Sequence, residues 1–151
     1  MPTNNSESRP ATIGFSPTPT LYKLHWDRGN EEYVCCGADI LLNGLEGDLV
    51  GQARCPVCQN STRLVIASGK IDGLDPRDAI IHVVEIPAQS GRIWTECDST
   101  HIFDKEGCFQ KWIAKSPGMN GLVESVVDYH NRLTARRSSK SGPQYLAKRT
   151  R

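Results

Sequence analysis

Tyr33-Val34-Cys35-Cys36-Gly37-Ala38-Asp39-Ile40-Leu41-Leu42-Asn43-Gly44-Leu45 is where the hydrophobic period of this chain changes. Upstream, Leu21–Trp26 alternates as a half-buried strand, Asp27-Arg28-Gly29-Asn30 reads as a turn, and Glu32–Val34 returns as the second arm of a hairpin. Downstream, Ala38, Leu41, Leu42 and Leu45 fall at helical spacing. The pattern predicts a short helix over Gly37–Leu45 with Cys36 at its N-terminus.

Working outward, Leu49–Arg54, Thr62–Ser68 and Ile80–Pro87 are β-branched and aliphatic and read as strands. Asp72–Asp78 contains Gly and Pro and reads as a loop. Trp94–Phe103 reads as an irregular turn leading into a short strand, Thr100–Phe103. Asp104 is placed to N-cap a helix over Lys105–Lys115, which Ser116-Pro117-Gly118 ends. A last helix is expected over Gly121–Arg136, its apolar stripe formed by Val123, Val126, Val127, His130 and Leu133. The expected fold is α+β: a small mixed or antiparallel sheet, a short helix after the first strands and two C-terminal helices. Residues 1–20, rich in Ser, Thr, Pro and Asn, are expected to be disordered, residues 21–137 to form the domain, and residues 138–151 to be a flexible basic tail.

The chain has 151 residues, enough for one domain with its own core. Its 18 basic and 17 acidic residues leave a formal charge of +1, which argues against nucleic acid or an anionic membrane as partner. No apolar run approaches the roughly 20 residues of a membrane span, and the N-terminus lacks a secretory pattern. A cytoplasmic location is therefore expected, where the six cysteines are not structural disulfides.

Three groups of residues could carry chemistry. Cys36 and Asp39 share a helix face, and a thiolate at a helix N-terminus is favoured by the free N–H groups there. The spacing is equally that of a buried cysteine beside an ordinary first-turn acid. Cys97 lies in the polar run Trp94-Thr95-Glu96-Cys97-Asp98-Ser99-Thr100-His101, which looks more like a site loop than a core strand. Cys55-Pro56-Val57-Cys58 is half of a zinc site or a redox pair. A zinc site needs two more ligands; Cys35-Cys36 and Cys97 with Cys108 are available, neither spaced as a second knuckle. Gln59-Asn60-Ser61 suggests a turn between strands, unlike the strand-to-helix setting of a redox CxxC. No two of His25, His82, His101 and His130 form a close metal pair; His82 and His130 read as structural, and His101 could tune Cys97.

The order of these features is specific where its parts are not. Tyr33 precedes Cys36-Gly37-Ala38-Asp39; Gly51-Gln52-Ala53-Arg54-Cys55 follows, then Thr62–Ile66, Ile81–Pro87, Cys97 with His101-Ile102-Phe103, and Trp112-Ile113-Ala114-Lys115 running on to Gly118 and Gly121-Leu122. From about Tyr22 to Leu133 the chain resembles the catalytic domain of the organomercurial (alkylmercury) lyases. The resemblance implies a catalytic trio, Cys36, Asp39 and Cys97, that splits a carbon–mercury bond to give a hydrocarbon and Hg(II). Cys36 and Cys97 would hold the mercury, with Cys35, Cys55 and Cys58 as further candidate ligands. No cofactor is required, small thiols would take up the product, and a zinc ion at Cys55 and Cys58 is a separate expectation.

The chain also departs from the family pattern. It looks like a short form without the family's N-terminal helical domain. Cys35 stands where an aromatic residue is usual, Asp98 where a second cysteine often follows, and Cys58 is an addition. Two other functions fit the same residues: cleavage of another soft bond, carbon–sulfur or carbon–arsenic, and a non-catalytic thiol metal-binding protein.

Overall fold

The computed structural model describes residues 11–87 and 93–138. The hairpin expected before the cysteines is present as β2 (Tyr22–Trp26) and β3 (Glu31–Val34), preceded by a two-residue strand β1 (Phe15–Ser16). Helix α1 (Gly37–Gly44) follows at once, with Cys36 as its N-cap. Next come β4 (Leu49–Arg54), β5 (Ser61–Ala67) and β6 (Lys70–Asp75), which complete a six-stranded sheet in the order β1-β3-β2-β4-β5-β6. Every pairing in it is antiparallel. A second, three-stranded sheet, β10-β7-β11, is formed by β7 (Ile80–Val83), β10 (His101–Phe103) and β11 (Leu122–Ser125). Strands β8 (Glu85–Pro87) and β9 (Ile93–Thr95) make a separate two-stranded ribbon. Helices α2 (Glu106–Ala114) and α3 (Val126–Ser138) follow the second sheet's strands.

Helix α1 lies between the two larger sheets. All eight of its residues are buried, the signature of a helix that is covered all round. Glycines set how closely it packs. A β-carbon on Gly51 of β4 would come 2.5 Å from Ile40, and one on Gly44 would come 2.5 Å from Ile66 of β5. On the opposite side, a β-carbon on Gly37 would meet Ile102 of β10 at 2.6 Å. Ile40, Leu41 and Leu42 fill the space so defined, each burial contributing about 1.5–3 kcal/mol.

The structure departs from the sequence expectations in five places. Residues 11–20 are not disordered: β1 pairs with β3, and the Cys35 N–H donates to the Gly14 carbonyl at 2.8 Å. Residues 1–10 and 139–151 lie outside the described residues. The Asp72–Asp78 loop is largely strand β6, because Ser68 and Gly69, both at positive φ, turn the chain back on β5. As an edge strand without clear alternation, β6 leaves little trace in hydropathy. The single strand Ile80–Pro87 is two strands, β7 and β8, in different sheets. The helix expected from Gly121 starts only at Val126, since Leu122–Ser125 pair with β7. Asp104 does not cap α2; the N-cap is Lys105, and the Asp104 carboxylate is engaged elsewhere.

His82 and His130 are buried, as expected of structural histidines. The His82 Nδ1–H donates to the Ser99 carbonyl at 2.8 Å, and burial pushes both imidazoles below their ordinary pKa. The unfolded chain therefore binds protons that the folded one refuses, and stability falls as pH drops below about 6.5. Thermal melts should show the midpoint falling between about pH 7.5 and pH 5.5, with a shallower slope for His130→Leu. Gly51→Ala should cost about 1–3 kcal/mol in urea unfolding, because Ile40 cannot retreat from a helix packed on both sides.

Candidate functional site

The N-terminal turn of α1 brings the first group together. Cys36 is extended (φ −151°, ψ 172°), and its N–H donates to Asp39 Oδ2 at 3.2 Å. In return the Cys36 side chain turns toward the Asp39 N–H, the reciprocal arrangement of a capping box with a thiol in the place of serine. A helix start buried in the core has no water to satisfy its free N–H groups, so the acid at this position holds the turn together.

Cys97 reaches the same carboxylate from the other side. It opens a single 3-10 turn, Cys97–Ser99, between β9 and β10. That turn is tied down by the Glu96 N–H on the Val84 carbonyl at 2.8 Å and by Thr100 Oγ1 on the Glu96 carbonyl at 2.8 Å. Cys97 Sγ lies 4.0 Å from Asp39 Oδ2. The ligand atoms of Cys35, Asp39 and Cys97 all lie within 4.8 Å of one another. The set takes in Cys35 and not its neighbour Cys36, which meets Asp39 through its backbone N–H and the capping box instead. Cys36, Asp39 and Cys97 are at most 4% exposed, whereas Cys35 is half-buried.

A segment that composition had assigned to disorder covers this cluster. Gly14 has φ +73°, and a β-carbon there would fall 2.1 Å from Asp39 Oδ2, so only glycine lets the backbone lie on the carboxylate. Asn43, one turn along α1 from Asp39, clasps the segment from both sides. Its Oδ1 accepts from the Ile13 N–H and its Nδ2 donates to the Ile13 carbonyl, both at 2.8 Å. The same Nδ2 donates to the Asp39 carbonyl at 2.8 Å.

Tyr22 and His101 stand beside the thiols. The Tyr22 hydroxyl meets His101 Nδ1 at 2.5 Å, and His101 Nε2 faces the Asp98 carbonyl at 3.1 Å. A carbonyl can only accept, so Nε2 carries the proton and Nδ1 accepts from the phenol. Burial lowers the His101 pKa and keeps the ring neutral. Burial, reinforced by the charge of Cys36, holds the Tyr22 phenol well above its usual pKa. With both nitrogens engaged in this way, His101 positions the Cys97 turn.

The second group is four residues from two separate parts of the chain. Ligand atoms of Cys55, Cys58, Asp104 and Cys108 lie within 4.8 Å of one another, under Phe103 and Phe109. Cys58 Sγ donates to Asp104 Oδ1 at 3.2 Å, and Asn60 Nδ2 donates to Oδ2 at 3.2 Å. Burial and the neighbouring thiols push Cys108 up to about 12. Burial also works against the Asp104 charge, but the donors from Cys58 and Asn60 outweigh it and leave the carboxyl below its ordinary pKa.

Sequence reasoning had named Cys55 and Cys58 but left their partners unassigned. It missed Asp104 as a partner, and also Gly14, Asn43 and Tyr22. Only the Asp104-x-x-x-Cys108 spacing at a helix start offered a signal.

Comparison with known proteins now bears on this geometry. The alkylmercury lyase family matches residues 15–135. The chain belongs to the alkylmercury lyase family. An alkylmercury lyase of Staphylococcus epidermidis (strain ATCC 12228 / FDA PCI 1200) is 25% identical over 142 residues, spanning 92% of this chain and 65% of its own. The crystal structure of the mercury-bound form of MerB2 superposes with a TM-score of 0.62 at 22% identity, covering 81% of this chain and 61% of that one. The α+β fold expected from the resemblance is therefore that of the family. The chain spans about two-thirds of the length of either relative. Among the described residues, no helix is long and apolar enough to cross a membrane.

Asn43→Ala removes two hydrogen bonds to Ile13 and one to the Asp39 carbonyl, each worth roughly 0.5–1.5 kcal/mol. Labelling of Cys36 and Cys97 by a small thiol reagent, followed by peptide mass spectrometry, should speed up roughly tenfold or more. An unchanged rate would mean that the segment does not control access.

Proposed function

We propose that the chain cleaves the carbon–mercury bond of small organomercurials by protonolysis, with Cys36 and Cys97 as mercury-binding thiols and Asp39 as the proton carrier. The observation that supports this is one buried carboxylate oxygen that accepts from the Cys36 backbone N–H at 3.2 Å and lies 4.0 Å from the Cys97 sulfur. Asp39 caps the helix start whatever the function, and its reach to the Cys97 sulfur is what a proton carrier adds to that role.

Mercury prefers thiolate ligands, so an incoming organomercurial exchanges its thiol ligand for one cysteine thiolate. As the second thiol binds, its proton passes to the Asp39 carboxylate. Electron density from two sulfurs weakens the carbon–mercury bond. The Asp39 acid then delivers the proton to carbon, which leaves with the bonding pair as a hydrocarbon. Mercury stays Hg(II) throughout, bound by both sulfurs, and Asp39 returns to its carboxylate. Cys35, within 4.8 Å of Asp39 and Cys97, gives Hg(II) a third thiol before small thiols remove it. No cofactor takes part. The cluster is closed in the resting protein, so entry requires the segment over Asp39 to move.

The competing reading is a metal-holding protein, which the Cys35-Asp39-Cys97 set also suits. Incubating the reduced protein with methylmercury or phenylmercury and excess thiol, and measuring hydrocarbon by gas chromatography, separates the two. Cys36→Ser and Cys97→Ser should abolish release. Asp39→Asn should still bind mercury but slow release by on the order of 10²–10⁴-fold, the usual weight of a positioned acid. Cys35→Ser should still cleave. A folded protein that takes up mercury and releases no hydrocarbon over many hours would exclude cleavage.

A further inference from the structure

We infer that Cys55, Cys58, Asp104 and Cys108 form a tetrahedral site for a resident Zn(II) ion, separate from the mercury-handling cysteines, that staples the β4–β5 turn to the start of α2. The four ligand atoms are mutually within 4.8 Å. A tetrahedron with zinc–sulfur bonds of about 2.3 Å has edges of about 3.8 Å. Closing the cluster onto an ion thus needs contraction of only about 1 Å, less than one rotamer step. Cys58 Sγ and Asp104 Oδ1, at 3.2 Å, already lie inside that edge length.

The local backbone is built to present these groups. After β4 the Cys55 N–H donates to the Asn60 carbonyl at 2.8 Å, and the Gln59 N–H to the Cys55 carbonyl at 3.0 Å. Gln59 has φ +70°, a left-handed residue that turns the chain after Cys58 into Asn60 and β5. From the other side, β10 delivers Asp104 directly after Phe103, and the first turn of α2 delivers Cys108. Three thiolates and one carboxylate suit Zn(II) over hard cations. The free Asp104 oxygen accepts from Asn60 Nδ2, an outer contact of the kind that orients a ligating carboxylate. Phe103, Phe109 and Trp112 wall the cluster, with Cys58 on its half-buried side. All four first-coordination positions are filled by protein, the closed arrangement of a structural zinc rather than a catalytic one.

The test uses the full chain purified under reducing conditions without chelator. Elemental analysis should give about one zinc per chain. Cys58→Ser and Cys108→Ser should lose it, while Cys36→Ser and Cys97→Ser keep it. Asn60→Ala should retain zinc with roughly 10–100-fold weaker affinity. Should the cysteine variants fail to fold, the wild-type chain still decides the matter. Stripped of metal and titrated with Co(II), it should develop a thiolate charge-transfer band and tetrahedral visible bands saturating at one equivalent, and chelation should lower its melting temperature. Three results would each overturn the site: wild-type chain without zinc that shows no such Co(II) spectrum, zinc lost with Cys36→Ser or Cys97→Ser but retained by Cys58→Ser and Cys108→Ser, or a Cys55–Cys58 disulfide in the freshly purified protein.

Discussion

The Cys36 N–H bond to Asp39 is made at the start of a helix that the two sheets enclose on every side. In such a place the free N–H groups of the first turn cannot turn to water, and the chain must supply an acceptor. Asp39 is that acceptor. The requirement that caps the start of the helix therefore also fixes a carboxylate in the core. The rest of the site follows from how closely the helix is packed. Gly37 lets Ile102 approach on one side, and β10 then holds the Cys97 turn within reach of Asp39. A reactive group placed in this way is as rigid as the helix that carries it, which is the setting positioned chemistry needs.

Strand β10 links the two thiol clusters. Cys97 precedes it and Asp104 follows it. One cluster offers three ligand groups, and the other four. Zinc enzymes keep a coordination position free for reactants, and structural zinc sites fill all of theirs. On the proposed reading, the same strand separates a site that must exchange its metal from one that must not. Tyr22 and His101 stand between them: the Tyr22 hydroxyl is sensitive to charge on Cys36, Cys55 and Cys97 alike.

Much of this was legible in the sequence. The strand pattern of Leu21–Trp26, the turn at Asp27–Asn30 and the helical spacing of Ala38, Leu41 and Leu42 each reflect burial of one face, and burial is what hydropathy records. Strand β6 was missed because as an edge strand it half-buries only Ile71, Gly73 and Leu74, without a regular alternation. Strand β11 was missed because Val123 and Val126 fit a helical stripe, and only pairing with β7 decides between the two. Cys36 and Asp39 are close in sequence, so their spacing was readable, and the ordered resemblance joined Cys97 to them. The partners of Cys55 and Cys58 lie 46 to 53 residues away, and only the packing of β10 and α2 brings them there. Gly14 was hidden for another reason. Its segment is held by backbone groups on the Asn43 amide, and backbone contacts leave no mark in side-chain composition.

Asn43 joins the covering segment to the helix that carries the acid through a single amide group. Two such bonds to Ile13 contribute on the order of 1–3 kcal/mol, added to the β1–β3 pairing and the Cys35–Gly14 bond that hold the same segment. A latch of that strength shuts the pocket against bulk water at rest. On the proposed reading it must still yield to a guest that two sulfurs bind tightly. Selectivity can therefore begin at the door: a soft electrophile repays the opening, and a hard one of the same size leaves the latch closed.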